Sequence, residues 1–151
     1  MKRLHIHVNA DETKFDESVA FYTTLFGELP TKTRDNYAKW MIEDPYVNFV
    51  VEVIEIEGDR PGIHHVGIQV DESEELHALR DTLKAAEAPL LEIGETVCCF
   101  SKSEKNWTMD PSGLRWETFR SFGDVSEYGE KTLEELANYN SADAYLNTAD
   151  A

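Results

Sequence analysis

Residues 4–9, LHIHVN, alternate apolar and polar side chains, the period-two pattern of a strand with one buried face. Leu4, Ile6 and Val8 share one face; His5, His7 and Asn9 share the other. The next stretch, NADETKFDESVAFYTTLFG, changes period. Phe15, Val19, Tyr22 and Phe26 recur at steps of four, three and four, one stripe of an amphipathic helix. Gly27 stands where a helix takes its left-handed stop. Strand-like runs follow near 30–34, at 37–43 and at 47–56, with Asp44-Pro45 between the last two. EGDRPG at 57–62 reads as a turn-rich linker.

The pattern then repeats. HHVGIQVDESEEL aligns with the start of the chain, so that the motif H-x-x-[VI]-x-[VA]-D occurs at His5 and again at His65. A second helix is predicted over about 73–87, with Leu76, Leu79, Leu83 and Ala86 on one face. Further strand-like runs lie near 89–94, 96–101 and 114–121, and the polar SKSEKNW at 101–107 reads as a loop. Strand, helix and three strands thus occur twice, at a period of about 60 residues. This predicts an α+β fold of two βαβββ modules, about 1–57 and 62–121, whose curved sheets join into an open, cup-shaped barrel around a cavity. Residues 122–151 form an acidic C-terminal extension, with seven acids against Lys131 alone from 124 onward.

Charge narrows the partners. A formal charge of −16 and a pI near 4.5 argue against nucleic acid and anionic membranes. No run approaches the length of a membrane span. MKRLHIHVNADE alternates rather than forming the apolar core of a signal peptide, so a cytoplasmic location is expected. Disulfides are rare in that reducing compartment. The two cysteines of the chain, Cys98 and Cys99, adjacent in ETVCCFS, are therefore read as free thiols suited to metal or redox chemistry.

Repeat position singles out three further residues. His5 and His65 are in register, and Glu117, in RWETF, lies in the last strand of the second module, opposite Glu52 of the first. Two imidazoles and a carboxylate make the facial triad of non-haem Fe(II) sites. Alternation alone does not separate His7 from His5; the repeat selects His5. His64 is expected to turn away onto the surface, and Glu52 is a minor candidate. Thiolates are the soft ligands a protein offers, and two of them gain the advantage of a chelate. Lys102 and Lys105 would favour the thiolate form. Neighbouring side chains of a regular strand point to opposite faces, so Cys98 and Cys99 grip one atom only where the strand is interrupted. The His65–Glu117 interval is five residues longer than His5–Glu52, which suggests a lid. Trp107 either caps the pocket or sits in the core, and the cysteines are alternatively two small buried residues.

The motifs HIHVN…SVAFYTTLFG, HHVGIQV and GETVCCFSKSEKNWTMDPSGLRWETF resemble the vicinal oxygen chelate superfamily, which includes glyoxalase I and extradiol dioxygenases. YAKWMIEDPYVNF and ETVCCFSKSEKNW are similar to one branch, the organoarsenical carbon–arsenic lyases of arsenic and cadmium operons. The resemblance covers about residues 1–121 and implies a glyoxalase-like domain there. It implies Fe(II) at His5, His65 and Glu117, with nickel, cobalt, zinc or manganese as other occupants of such a site. Cys98 and Cys99 would hold a trivalent organoarsenical, cut with dioxygen to release arsenite, with Lys105 and Trp107 beside the substrate. Some relatives have Gln at the first ligand position, and others carry cysteines near the C-terminus that this chain lacks. Two rival functions stand beside the lyase: another metal-dependent isomerase or extradiol dioxygenase of the superfamily, and a non-catalytic protein that sequesters cadmium or arsenic. Exposed edge strands leave a homodimer open.

Overall fold

The computed structural model describes residues 1–98 and 101–124, with the side chains of 96–101 and of residues past 122 outside that description. Cys99, the side chain of Cys98 and the acidic extension from 125 onward therefore lie outside the described residues. The chain divides into two compact units, Arg3–Val66 and the residues from Gly67 onward together with Met1–Lys2.

The first unit runs β1 (Arg3–Asn9), α1 (Phe15–Phe26), β2 (Lys32–Arg34), β3 (Tyr37–Glu43), β4 (Tyr46–Glu52) and the opening residues of β5 (Gly62–Gln69). Asp11 caps a short 3-10 turn at Glu12–Lys14 ahead of α1, accepting from the Thr13 N–H at 2.8 Å. Gly27 closes α1 at φ 69°, its N–H donating to the Thr23 carbonyl, as the glycine position implied. The sheet order is β2-β3-β4-β1-β5, with β1 parallel to β4 and the β2–β3 and β3–β4 pairs antiparallel.

Register sorts the side chains. Ile6 pairs with Phe49 and Val8 with Val51, while Trp40 and Ala38 meet the same two residues from β3. This face joins Phe15 in the core, with Val19, Tyr22 and Phe26 of α1 packed against it. The rings of Tyr22 and Phe49 lie 4.5 Å apart. Trp40 is fully buried and its indole N–H donates to the Glu28 carbonyl at 3.1 Å; truncating such a residue to alanine costs about 3–5 kcal/mol.

The opposite face of β1 carries Arg3, His5, His7 and Asn9, and all four are buried. Alternation predicted two faces but a single covered one; here the polar face is covered as well. Each member finds partners. Arg3 donates to the carbonyls of Ile42 and Val47 at 2.7 and 3.2 Å, reaches Glu43 at 2.9 Å and lies over the Tyr46 ring. Asn9 accepts from the Ile54 N–H at 2.9 Å and donates to the Arg60 carbonyl at 3.1 Å, which anchors the linker after β4.

The second unit contains the end of β5, then α2 (Ser73–Ala85), β6 (Leu90–Cys98), β7 (Ser101–Met109) and β8 (Arg115–Asp124), in sheet order β5-β8-β7-β6. Glu72 and Glu75 form a reciprocal capping box at the start of α2, and Leu76 is its most buried residue. The element order strand, helix, three strands therefore occurs twice, as the repeat predicts.

Two expectations for this unit are corrected. The run near 89–94 and the run near 96–101 as far as Cys98 are one strand, β6, with a bulge between Glu92 and Gly94, where Gly94 takes φ 73°. SKSEKNW is no loop and no lid. It lies within β7, paired on both sides, with Ser103, Lys105 and Trp107 buried on alternating positions. Its polarity hid it: Lys105 is buried against Glu117 of β8, a partner that the sequence does not reveal. The longer second module is accounted for by a longer hairpin, nine residues in each of β6 and β7. Among the described residues no helix is long and apolar enough to cross a membrane.

Candidate metal centre

The parallel β1–β4 register sets His5 beside Asn48 and His7 beside Val50, with Glu52 two residues further along the same face. His5 Nδ1 donates to the Asn48 carbonyl at 3.1 Å. A carbonyl only accepts, so the hydrogen of a neutral His5 sits on Nδ1 and the lone pair on Nε2. That Nε2 faces the Nε2 of His65, 3.3 Å away. His7 Nε2 contacts Glu52 Oε2 at 2.7 Å, and the same logic leaves its Nδ1 as the basic nitrogen of a neutral ring.

Donor atoms of His5, His7 and His65 all lie within 4.8 Å of one another, and all three residues are buried. Three imidazoles this close, excluded from water, form a basin for a cation. Neutral imidazole suits first-row metals from iron to zinc, and ring N–H groups held by a carbonyl or a carboxylate are the usual outer support of such ligands. The donor set fits a divalent metal.

His5 and His65 are thus brought together from strands sixty residues apart. His7, which the repeat set aside, belongs to the same cluster; it shares a face with His5, and the signal that could have found it is Glu52 on the same sheet face. His64 is the other difference. It is buried, not on the surface: its Nδ1 lies 2.8 Å from the Nδ1 of His65, and its Nε2 lies 3.2 Å from Asp59 Oδ2. The acidic residue of the linker takes the place of solvent.

Glu117 belongs to the second unit, on β8 opposite Trp107 of β7. Its Oε1 accepts from Lys105 Nζ at 2.6 Å, with both side chains buried. Lys105 therefore pairs with a carboxylate, while the thiol side chains expected near it lie outside the described residues. Trp107 is buried within β7. Gly67 backs onto Glu117: a Cβ at position 67 would collide with the Glu117 carbonyl oxygen, so only glycine fits. Among the described residues the β6–β7 ladder runs as far as Cys98 paired with Ser101.

The fold is that of glyoxalase-like metalloproteins, and the family model for the Glyoxalase/Bleomycin resistance protein/Dioxygenase superfamily matches residues 5–118; the chain belongs to this superfamily. It is 36% identical over 138 residues to a trivalent organoarsenical cleaving enzyme of Bacillus sp. (strain MD1), covering 89% of this chain and 79% of that one. It is 33% identical over 132 residues to the cadmium-induced protein CadI of Mycobacterium tuberculosis (strain ATCC 25618 / H37Rv), covering 85% and 82% of the two chains. The Mn(II)-bound glyoxalase from Novosphingobium aromaticivorans shares the fold at a TM-score of 0.55 and 18% identity, over 86% of this chain and 42% of that one.

Proposed function

We propose that this protein is an Fe(II)-dependent dioxygenase that cleaves the carbon–arsenic bond of trivalent organoarsenicals and releases arsenite. The metal part of the reading is supported by the Nε2 atoms of His5 and His65, which lie 3.3 Å apart in a buried cluster with His7. The arsenic part is supported by the curated relatives, named as organoarsenical cleaving enzymes. With methylarsenite the atoms balance as one dioxygen consumed for one arsenite and one formaldehyde formed.

His5 and His65 are common to both donor sets the chain offers. His7 completes a three-imidazole set within the first unit; Glu117 is the carboxylate that the resemblance assigns to a two-histidine, one-carboxylate set. Bound iron would supply the redox chemistry that couples dioxygen to the substrate. The chain supplies the rest. The Asn48 carbonyl holds the His5 ring, and Lys105 holds one oxygen of Glu117. Cys98 and Cys99 grip the arsenic as a thiolate pair, with Cys98 opposite Ser101 in the β6–β7 ladder. Trp107, beside Glu117 in register, contributes apolar wall.

The test is anaerobic loading with Fe(II), addition of methylarsenite, then air, with arsenite and formaldehyde measured. Release of arsenite at one equivalent per dioxygen supports the reading; the absence of arsenite from any trivalent organoarsenical sinks it. The CadI likeness favours a second reading, stoichiometric capture of Cd(II) without turnover. Tight cadmium binding with no oxygen consumption would select it.

A further inference from the structure

We propose that Asp59 and His64 form a positioning relay behind His65, fixing the tautomer and direction in which its Nε2 meets the metal; this rests on the metal reading above. A metal on His65 Nε2 requires the ring hydrogen on Nδ1. That Nδ1 lies 2.8 Å from His64 Nδ1, which must then accept. His64 accepts there only when its own hydrogen sits on Nε2, and Asp59 Oδ2 stands 3.2 Å from that nitrogen. The contact does not meet hydrogen-bond geometry, but the negative charge of Asp59 beside a neutral His64 favours its hydrogen on Nε2 over Nδ1. Asp59, His64 and His65 thus read as one directed chain ending in a metal-facing lone pair.

Other observations point the same way. The His64 side chain is 2% exposed, and a buried imidazole is costly unless it has such partners. The segment bearing Asp59 is held on both sides by Asn9, through the Ile54 N–H and the Arg60 carbonyl. Asn9 stands on β1, the strand that carries His5 and His7, so one strand sets two of the imidazoles and the loop that orients the third. Gly58 and Gly62, at φ 91° and 128°, bracket Asp59 and let the turn bring it back onto His64.

The experiment uses the full chain and Co(II) as a spectroscopic probe, with affinity measured by chelator competition. His64→Phe removes the acceptor; His64→Asn keeps an oxygen able to accept from His65 Nδ1–H; Asp59→Ala removes the terminal charge. His64→Phe should weaken Co(II) binding about 10–100-fold. His64→Asn should restore most of the affinity and the native visible spectrum, and Asp59→Ala should fall between. In Zn(II)-loaded native protein, imidazole 15N shifts should place the His64 hydrogen on Nε2, a readout independent of any variant's folding. Equal losses for Phe and Asn reduce His64 to packing and overturn the relay, as does unchanged binding by His64→Phe or a His64 hydrogen on Nδ1. A native chain that takes up no Co(II) overturns the metal reading itself, and the relay with it.

Discussion

Lys105 Nζ and Glu117 Oε1 meet at 2.6 Å with side chains only 6% and 7% exposed, a charge pair buried inside the second unit. Its two members come from neighbouring strands, β7 and β8. The pair matters for both stability and function, because the same carboxylate is the proposed metal ligand.

Removing the cation alone strands a buried carboxylate. Lys105→Met should destabilise the apo protein by about 3–5 kcal/mol. Lys105→Met with Glu117→Gln should recover much of that loss, because no net charge is then left buried. If Glu117 also binds metal, Fe(II) or Co(II) should raise the melting temperature of Lys105→Met more than that of the native chain. An equal rise in both would detach Glu117 from the metal.

The two donor sets make different forecasts for single substitutions. Glu117→Gln should weaken metal binding by about 10-fold or more if the carboxylate completes the site. His7→Phe should do so if the third imidazole completes it, and Glu52→Gln should then follow His7→Phe at smaller amplitude, because Glu52 holds that ring at 2.7 Å. Co(II) competition on the three variants separates the sets.

Gly67→Ala tests the close approach to β8. The added methyl would collide with the Glu117 carbonyl oxygen, so one of the two strands must yield. Overpacking of this kind costs about 1–3 kcal/mol, and more where backbone has to move. Metal affinity should fall with it if Glu117 is a ligand. Denaturant midpoints and Co(II) titration of the same sample read both effects.

Glu104 gives a pH dependence with a defined sign. Its carboxylate accepts from His77 Nε2 at 2.9 Å and from the Ser73 hydroxyl at 3.0 Å, tying β7 to α2. The His77 hydrogen bond foremost, then that of Ser73, hold its pKa below the ordinary 4.5. A lowered folded-state pKa stabilises the native chain above the unfolded value and is lost as pH falls through the folded one. Native protein should therefore exceed Glu104→Gln by about 0.5–1 kcal/mol near neutrality. The gap should close as pH drops below 4.5 and through the depressed value. Chemical denaturation across that range measures it; a gap that widens in acid would refute the assignment.

Much of this architecture is written in local periodicity. Phe15, Val19, Tyr22 and Phe26 mark α1, and Gly27 ends it at φ 69°. YAKWMIE is strand β3 to the residue. The H-x-x-[VI]-x-[VA]-D repeat pairs His5 with His65, and their nitrogens meet at 3.3 Å. The failures share one cause. SKSEKNW and the polar face of β1 look solvated because their side chains are polar, and a pattern of polarity cannot say whether a partner is waiting. Ser103 and Lys105 are buried in β7, and Lys105 is satisfied by Glu117 from β8, the next strand of the sheet.

The sequence by itself therefore determined the element order, the repeat and the two histidines in register, since helix and strand periods and internal similarity are properties of the chain. Tertiary structure decided which polar residues are inside: His7 against Glu52, His64 against Asp59, Lys105 against Glu117. Burial of a polar group is tolerated only when its partner arrives, and those partners stand 45, 5 and 12 residues away along the chain. Alternation reports which face a side chain occupies. Only the fold reports what covers that face.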